Sequence, residues 1–398
     1  MAEYSGVGDM TCQSAFIYSD SFAKYKFRED HPFNQKRVQL TYELLMACDA
    51  IDPEQVVEPR IATDEEISLV HDHEYVRAVK KAGIGELSKE EGLQFGIGTE
   101  DTPMFEDMHE AAAQLVGGTL SAVDAVLEGD YNHALNLGGG LHHGFSRKAS
   151  GFCIYNDAAI AIKYIRQKAN LKVLYVDTDA HHGDGVQWIF YDDPNVCTLS
   201  IHETGRYLFP GTGYANERGQ KEGYGYSFNV PIDAFTEDES FLEVYKESME
   251  EIAAYFQPDI ILTQNGADAH AYDPLSHLLG TMAIYEEIPK IAHDIAHKYC
   301  NGRWIALGGG GYDIWRVVPR AWSQLWKVVD GGKPLTGGLP EDWLDKWSKE
   351  SPVELPKTWS DSKSIYREIP RKPEITEKNR LALQKTLQLI RNEKNYMM

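Results

Sequence analysis

The sequence predicts an α/β fold, a doubly wound and mostly parallel sheet flanked by helices, on three observations. Short apolar runs rich in β-branched residues alternate with longer amphipathic stretches through the first 330 residues. Four of those runs end in turns that carry acidic, histidine or tyrosine side chains, three of them rich in glycine. No low-complexity linker and no internal repeat breaks the alternation, so a single domain is expected.

In chain order, strands are expected over 15–18, 134–137, 173–176, 196–201, 260–263 and 304–307. Each run is too short for a buried helix. Helices are expected over 35–47, 64–82, 105–127, 157–167, 239–255, 281–298 and 314–329, where apolar residues recur at helical spacing. After about residue 330 the text changes to GGKPLTGGLPEDW and then to a charged, proline-rich stretch. It closes on an amphipathic pattern at Leu381, Leu383, Leu387, Leu389 and Ile390. Residues 1–330 therefore read as the main domain, and 331–398 as a C-terminal extension packed on it.

Composition narrows the partners. Lysine and arginine total 39 against 61 acidic residues, a net charge of −22, which excludes tight binding to a phosphate backbone. Nucleic acid is not expected as a partner; the acidic field suits an ordinary soluble surface as well as a cationic, lysine-bearing partner, and does not decide the substrate. Five scattered cysteines, Cys12, Cys48, Cys153, Cys197 and Cys300, have no CxxC spacing and form neither a disulfide framework nor a structural zinc site. With no signal peptide and no bilayer-length apolar stretch, a cytoplasmic protein is expected, with no membrane partner.

The chemistry lies at the strand ends, where open α/β sheets assemble their sites. The run 173–176 leads into DTDAHHGDG (177–185), with two carboxylates and a histidine at alternate positions. The run 260–262 leads into QNGADAHAYDP (264–274), which offers Asp268. Asp179, His181 and Asp268 make an O,N,O set with room for a fourth, open position on a catalytic zinc. LNLGGGLHHGF (135–145) presents His142 and His143 as general acid and base groups, and WIALGGGGY (304–312) presents the Tyr312 phenol. Neither GxGxxG nor GxxxxGK[ST] occurs at these turns, so they are not nucleotide sites. His270 reads as structural, Asp273 as a turn residue before Pro274, and His71 and His73 as an ordinary helix start.

These motifs, with GFCIYND and LFPGTG, resemble those of the histone deacetylase superfamily in the same order, over roughly 31–320. The resemblance implies the arginase–deacetylase fold and makes 1–330 the deacetylase catalytic domain. LGGGLHHG is closer to the class I group than to branches with a PPGHHA-like sequence. The segment HPFNQKRVQLTYELL (31–45) is similar to the bacterial acetoin-utilization branch. That implies work in acetoin or acetate metabolism on an acetylated protein such as acetyl-CoA synthetase.

Carried over residue by residue, the resemblance implies Zn2+ on Asp179, His181 and Asp268, a site type that also accepts Fe2+. Asp177 and Asp184 would accept the second ring protons of the tandem histidines. His143 would act as base and acid, His142 as electrostatic support and Tyr312 as oxyanion donor. Gly151, Phe152, Phe209 and Leu275 would bind the acyl-lysine stem, Asp101 the substrate backbone at the rim, and Arg37 would flank an acetate-release channel. A structural K+ is implied on Asp177, Asp179, His181, Ser200 and Ile201, largely through backbone oxygens.

Three rival readings arise at this point, and two of them stay open. An arginase-like dimetal site would want acids where the chain has Gly183 and Gly266, and is disfavoured on that ground. An acetylpolyamine amidohydrolase would share every catalytic group. A silent acyl-lysine-binding protein would keep the pocket without turnover.

Overall fold

The strand runs are buried from end to end, so helices must cover both faces of the sheet. In the computed structural model, which describes residues 13–365 and 368–397, eight strands form one sheet. They are β1 (Ser14–Ile17), β2 (Val56–Val57), β3 (His133–Asn136), β4 (Val173–Asp177), β5 (Val196–Glu203), β6 (Ser227–Ile232), β7 (Ile260–Gln264) and β8 (Trp304–Leu307). Their order is β2-β1-β3-β8-β7-β4-β5-β6, and every pairing is parallel.

That order brings the four motif-bearing strands together. β3, β8, β7 and β4 are contiguous, and Asn136, Leu307, Gln264 and Asp177 pair in one row across their ends. The four functional loops therefore leave the sheet side by side.

One row of helices runs through Lys36–Ala47, Val318–Val329, Met282–Tyr299 and Asp238–Phe256, and a second through His73–Gly83, Met108–Leu127 and Asp157–Ala169. The structure departs from the expectations at the sheet margins. β2 is only two residues long, and β6 contains Pro231, which is tolerated because β6 is an edge strand. The expected helix 64–82 is two, Asp64–Ile67 and His73–Gly83, with His71 buried between them and His73 opening the second. The helix expected from 314 begins at Val318, with proline in its first turn.

Past residue 330, Leu339, Trp343, Trp347, Leu355 and Trp359 form a second apolar cluster with Leu40 and Leu44. The helix Lys372–Met397 lies against β6 and the helix Asp238–Phe256, burying Leu383, Leu387 and Ile390 while Leu381 faces solvent. Its Thr386 hydroxyl donates to the Asn229 carbonyl, and its Asn379 side chain accepts from the Asp233 N–H at 2.8 Å. Cys12 lies outside the described residues; Cys48, Cys153, Cys197 and Cys300 are free thiols. Among the described residues no helix is long and apolar enough to cross a membrane.

Candidate active site

Asp179, His181 and Asp268 sit just beyond β4 and β7, all buried, with one potential ligand atom from each within 4.8 Å of the others. His181 Nδ1 stands 3.0 Å from Asp179 Oδ1 and 3.1 Å from Asp268 Oδ2. Asp179 Oδ2 also accepts from Gln264 Nε2 at 2.6 Å and from the Gly310 N–H at 2.7 Å. Asp268 Oδ1 accepts from the Ala180 N–H at 2.8 Å. These bonds fix both carboxylates from two loops and the end of β7.

The residues present fit a divalent cation. Burial and the Asp179 charge raise the Asp268 carboxyl above its ordinary range, while His181, held by both acids against its burial, is raised well above its own. Two buried carboxylates sharing one imidazole leave an excess of negative charge that such an ion neutralises. A side chain at Gly310 would collide with the Asp268 carboxylate, so glycine keeps this space open. A second metal has no room for ligands at the positions an arginase-like site would use. A Cβ at Gly183 would strike the Asp177 carboxylate, and one at Gly266 the Asp179 carboxylate.

The loop after β3 delivers the histidine pair. His142 Nδ1 is 2.7 Å from Asp177 Oδ2, and His143 Nδ1 is 2.7 Å from Asp184 Oδ1. Their rings lie 4.0 Å apart, and His142 Nε2 is 3.9 Å from Asp179 Oδ2. Burial alone would lower both rings. Asp177 and Asp179 overcome it at His142 and raise it to about 9. At His143, burial and the adjacent His142 prevail over Asp184 and lower it to about 4.

Tyr312, half-buried, faces His181 with ring centroids 6.4 Å apart. Its N–H donates to Asp273 Oδ2 at 2.8 Å, and the other oxygen of Asp273 takes the Leu275 N–H at 2.9 Å. Burial and then the charges of Asp179 and Asp268 raise the phenol well above its ordinary value, so it stays a donor.

An aromatic slot leads to this group. The Phe209 ring is 5.0 Å from His143 and the Phe152 ring 5.7 Å from Tyr312. Gly151, at φ +50°, is pressed between them: a Cβ there would strike the His143 ring and lie 3.0 Å from Phe209. Asp101 is exposed, and its carbonyl lies 3.3 Å from Nε2 of His31, whose ring packs 4.7 Å from Phe152. Leu275 is half-buried in the turn closed by Asp273, next to Ser276, whose hydroxyl donates to the Asp268 carbonyl at 2.5 Å. Arg37 is fully buried over the rings of Phe33 and Trp322. Its Nη1 donates to the Gly311 carbonyl at 2.9 Å, whereas Nη2 has no hydrogen-bond partner among the described residues.

Residues 31–329 match the histone deacetylase domain. The chain belongs to the histone deacetylase family. As a member of that family it is a deacetylase, a hydrolase acting on amides. It is 62% identical over 380 residues to the acetoin utilization protein AcuC of Bacillus subtilis, covering 96% of this chain and 98% of that one. To AcuC of Staphylococcus xylosus it is 46% identical, covering 96% and 99%. A crystal structure of a histone deacetylase homologue from Aquifex aeolicus superposes with a TM-score of 0.84 at 29% identity, covering 93% of this chain and all of that one. Another structure, of a homologue complexed with SAHA, matches equally well at 28% identity.

Several groups in this deacetylase site escaped the sequence reading. Tyr175 donates to Asp177 Oδ2 at 2.7 Å, and its alternate spacing on β4 was the available signal. Gln264 opens the very motif that supplied Asp268. Asp157 accepts the N–H groups of Gly140 and Leu141 and so shapes the glycine turn, a role that depends on tertiary contact. His270 is structural as expected, 3.1 Å from Asp361, which also binds Arg320 at 2.9 Å.

Proposed function

We propose that the chain is a zinc-dependent protein-lysine deacetylase, releasing acetate and lysine from N-ε-acetyllysine. The observation that carries this reading is the convergence of an O,N,O ligand set, two His–Asp pairs and a tyrosine at the foot of one aromatic slot. The ion that Asp179, His181 and Asp268 would hold supplies Lewis acidity and lowers the pKa of water towards ~7.

The remaining work falls to the chain's own groups. His143 Nε2 takes the proton of the attacking water and returns one to the departing amine, and Asp184 holds its Nδ1–H. His142, kept charged by Asp177 and Asp179, stabilises negative charge beside it. The Tyr312 hydroxyl donates to the developing oxyanion. Phe152 and Phe209, with Gly151 and Leu275, take the lysine methylenes, and a charged ammonium is disfavoured there because it would lose its water. Asp101 meets the substrate backbone at the rim. The unsatisfied Nη2 of Arg37 suits the acetate leaving behind the site. A structural K+ beside Asp177 and Ser200 belongs to the same reading, as does the division into a catalytic domain (1–330) and a C-terminal extension (331–398).

The AcuC name of the similar proteins supports a role in acetoin utilization. A cytoplasmic location and an acetylated protein such as acetyl-CoA synthetase as partner belong to the same proposal. The test compares kcat/KM on an acetyl-lysine peptide and on acetylputrescine. Preference for the peptide, with a loss of about 10²–10³ in Tyr312→Phe, is expected. Preference for the polyamine would transfer the chain to small-molecule amide hydrolysis. Peptide binding with no turnover would make it a silent acyl-lysine binder.

A further inference from the structure

Three histidine-bearing turns and the tyrosine turn crowd the C-terminal end of the sheet, yet three histidines also meet at its other end. His133 is the first residue of β3, fully buried. Its Nδ1 lies 2.7 Å from the Val329 carbonyl. A carbonyl only accepts, so a ring proton sits on Nδ1. Such an outer bond to backbone is how metal-binding histidines have their rings fixed.

His293 and His297 stand four residues apart on the helix Met282–Tyr299, hence on one face of it. Their ring centroids are 4.4 Å from each other and 4.9 and 5.2 Å from that of His133. One potential ligand atom from each lies within 4.8 Å of the others. A tetrahedral site wants its nitrogens about 3.4 Å apart, given metal–nitrogen bonds of about 2.1 Å. His293 is half-buried and His297 exposed, so this side of the cluster is open to solvent. Asp294, 3.8 Å from His293 Nδ1, adds negative charge at the edge.

We propose that His133, His293 and His297 form a second metal site, separate from the catalytic one, for a divalent transition ion such as zinc. Three imidazoles select zinc, copper or nickel over magnesium or calcium. Solvent completes the coordination on the exposed side. The bland alternative is aromatic packing on Trp304, whose ring lies 5.5 Å from His133 and 6.2 Å from His293.

Equilibrium dialysis of the full chain against zinc, followed by metal analysis, separates the two. Wild type is expected to hold one more zinc per chain than His293→Ala/His297→Ala, or to hold that ion at least tenfold more tightly. Deacetylase activity should be unchanged in the variant, because neither residue touches the active site. Both substitutions favour helix, and an unchanged circular dichroism spectrum and Tm certify the fold. Since the measurement is a difference between the two proteins, it holds whatever ion the catalytic site takes. Equal zinc content and affinity in both proteins would overturn the proposal.

Discussion

His142 and His143 are neighbours in one turn, each bonded through Nδ1 to an aspartate at 2.7 Å, yet their surroundings drive them apart. At His142 burial is outweighed by Asp177 and a second carboxylate, Asp179, and the ring is raised to about 9; His143 is lowered to about 4 by burial and then by the adjacent His142. Identical pairs thus become a cation and a base. A His–Asp bond fixes the tautomer, while burial and the next charge out together fix the protonation state.

The largest effect is expected from removing the ion that Asp179, His181 and Asp268 are proposed to hold. Dialysis against a chelator is expected to abolish deacetylation, with zinc restoring it; full activity in metal-free protein would remove the basis for the proposed mechanism. His143→Ala comes next, with an expected loss of about 10²–10⁴ in kcat, the usual worth of a positioned base. His142→Ala leaves that base in place and should cost less, on the order of tenfold to a hundredfold. Equal losses in single-turnover assays would mean that the two pairs do not divide the work.

A third buried histidine sharpens the contrast at smaller scale. His71 accepts the Asn156 N–H through Nε2 at 3.0 Å, and burial lowers it to about 3. A histidine whose folded pKa is depressed contributes stability that is fully present above the unfolded value of ~6.5 and is lost as pH falls towards the folded one. Between pH 6 and pH 4, urea unfolding of wild type should therefore lose up to about 1.4 kcal/mol per pH unit more than His71→Gln, whose amide can accept the same N–H. Parallel curves would show that this ring is not held neutral.

The predicted strands at 134–137, 173–176, 260–263 and 304–307 match β3, β4, β7 and β8 to within a residue, because buried parallel strands are written as unbroken apolar runs. The motif after each strand survived translation into space for the same reason: the strand ends stand in one row. Edge elements were harder to read. β6 carries Ser227, Asn229 and Pro231, which look like a loop until β5 on one side and the terminal helix on the other account for them. Nor could spacing reveal the second layer of contacts. Asp157 reaches across to Gly140, Asp273 to Tyr312, and Asp361 to both His270 and Arg320.

The terminal helix has a consequence beyond packing. An edge strand offers its open backbone groups to any passing strand, which is how folded sheets start to aggregate. Here Thr386 and Asn379 occupy the Asn229 carbonyl and the Asp233 N–H, and Leu383, Leu387 and Ile390 are buried where the helix lies along β6. Residues Asn379 to Ile390 of this helix thus act as a built-in guard of the sheet edge, and removing the helix would expose a ready template for self-association.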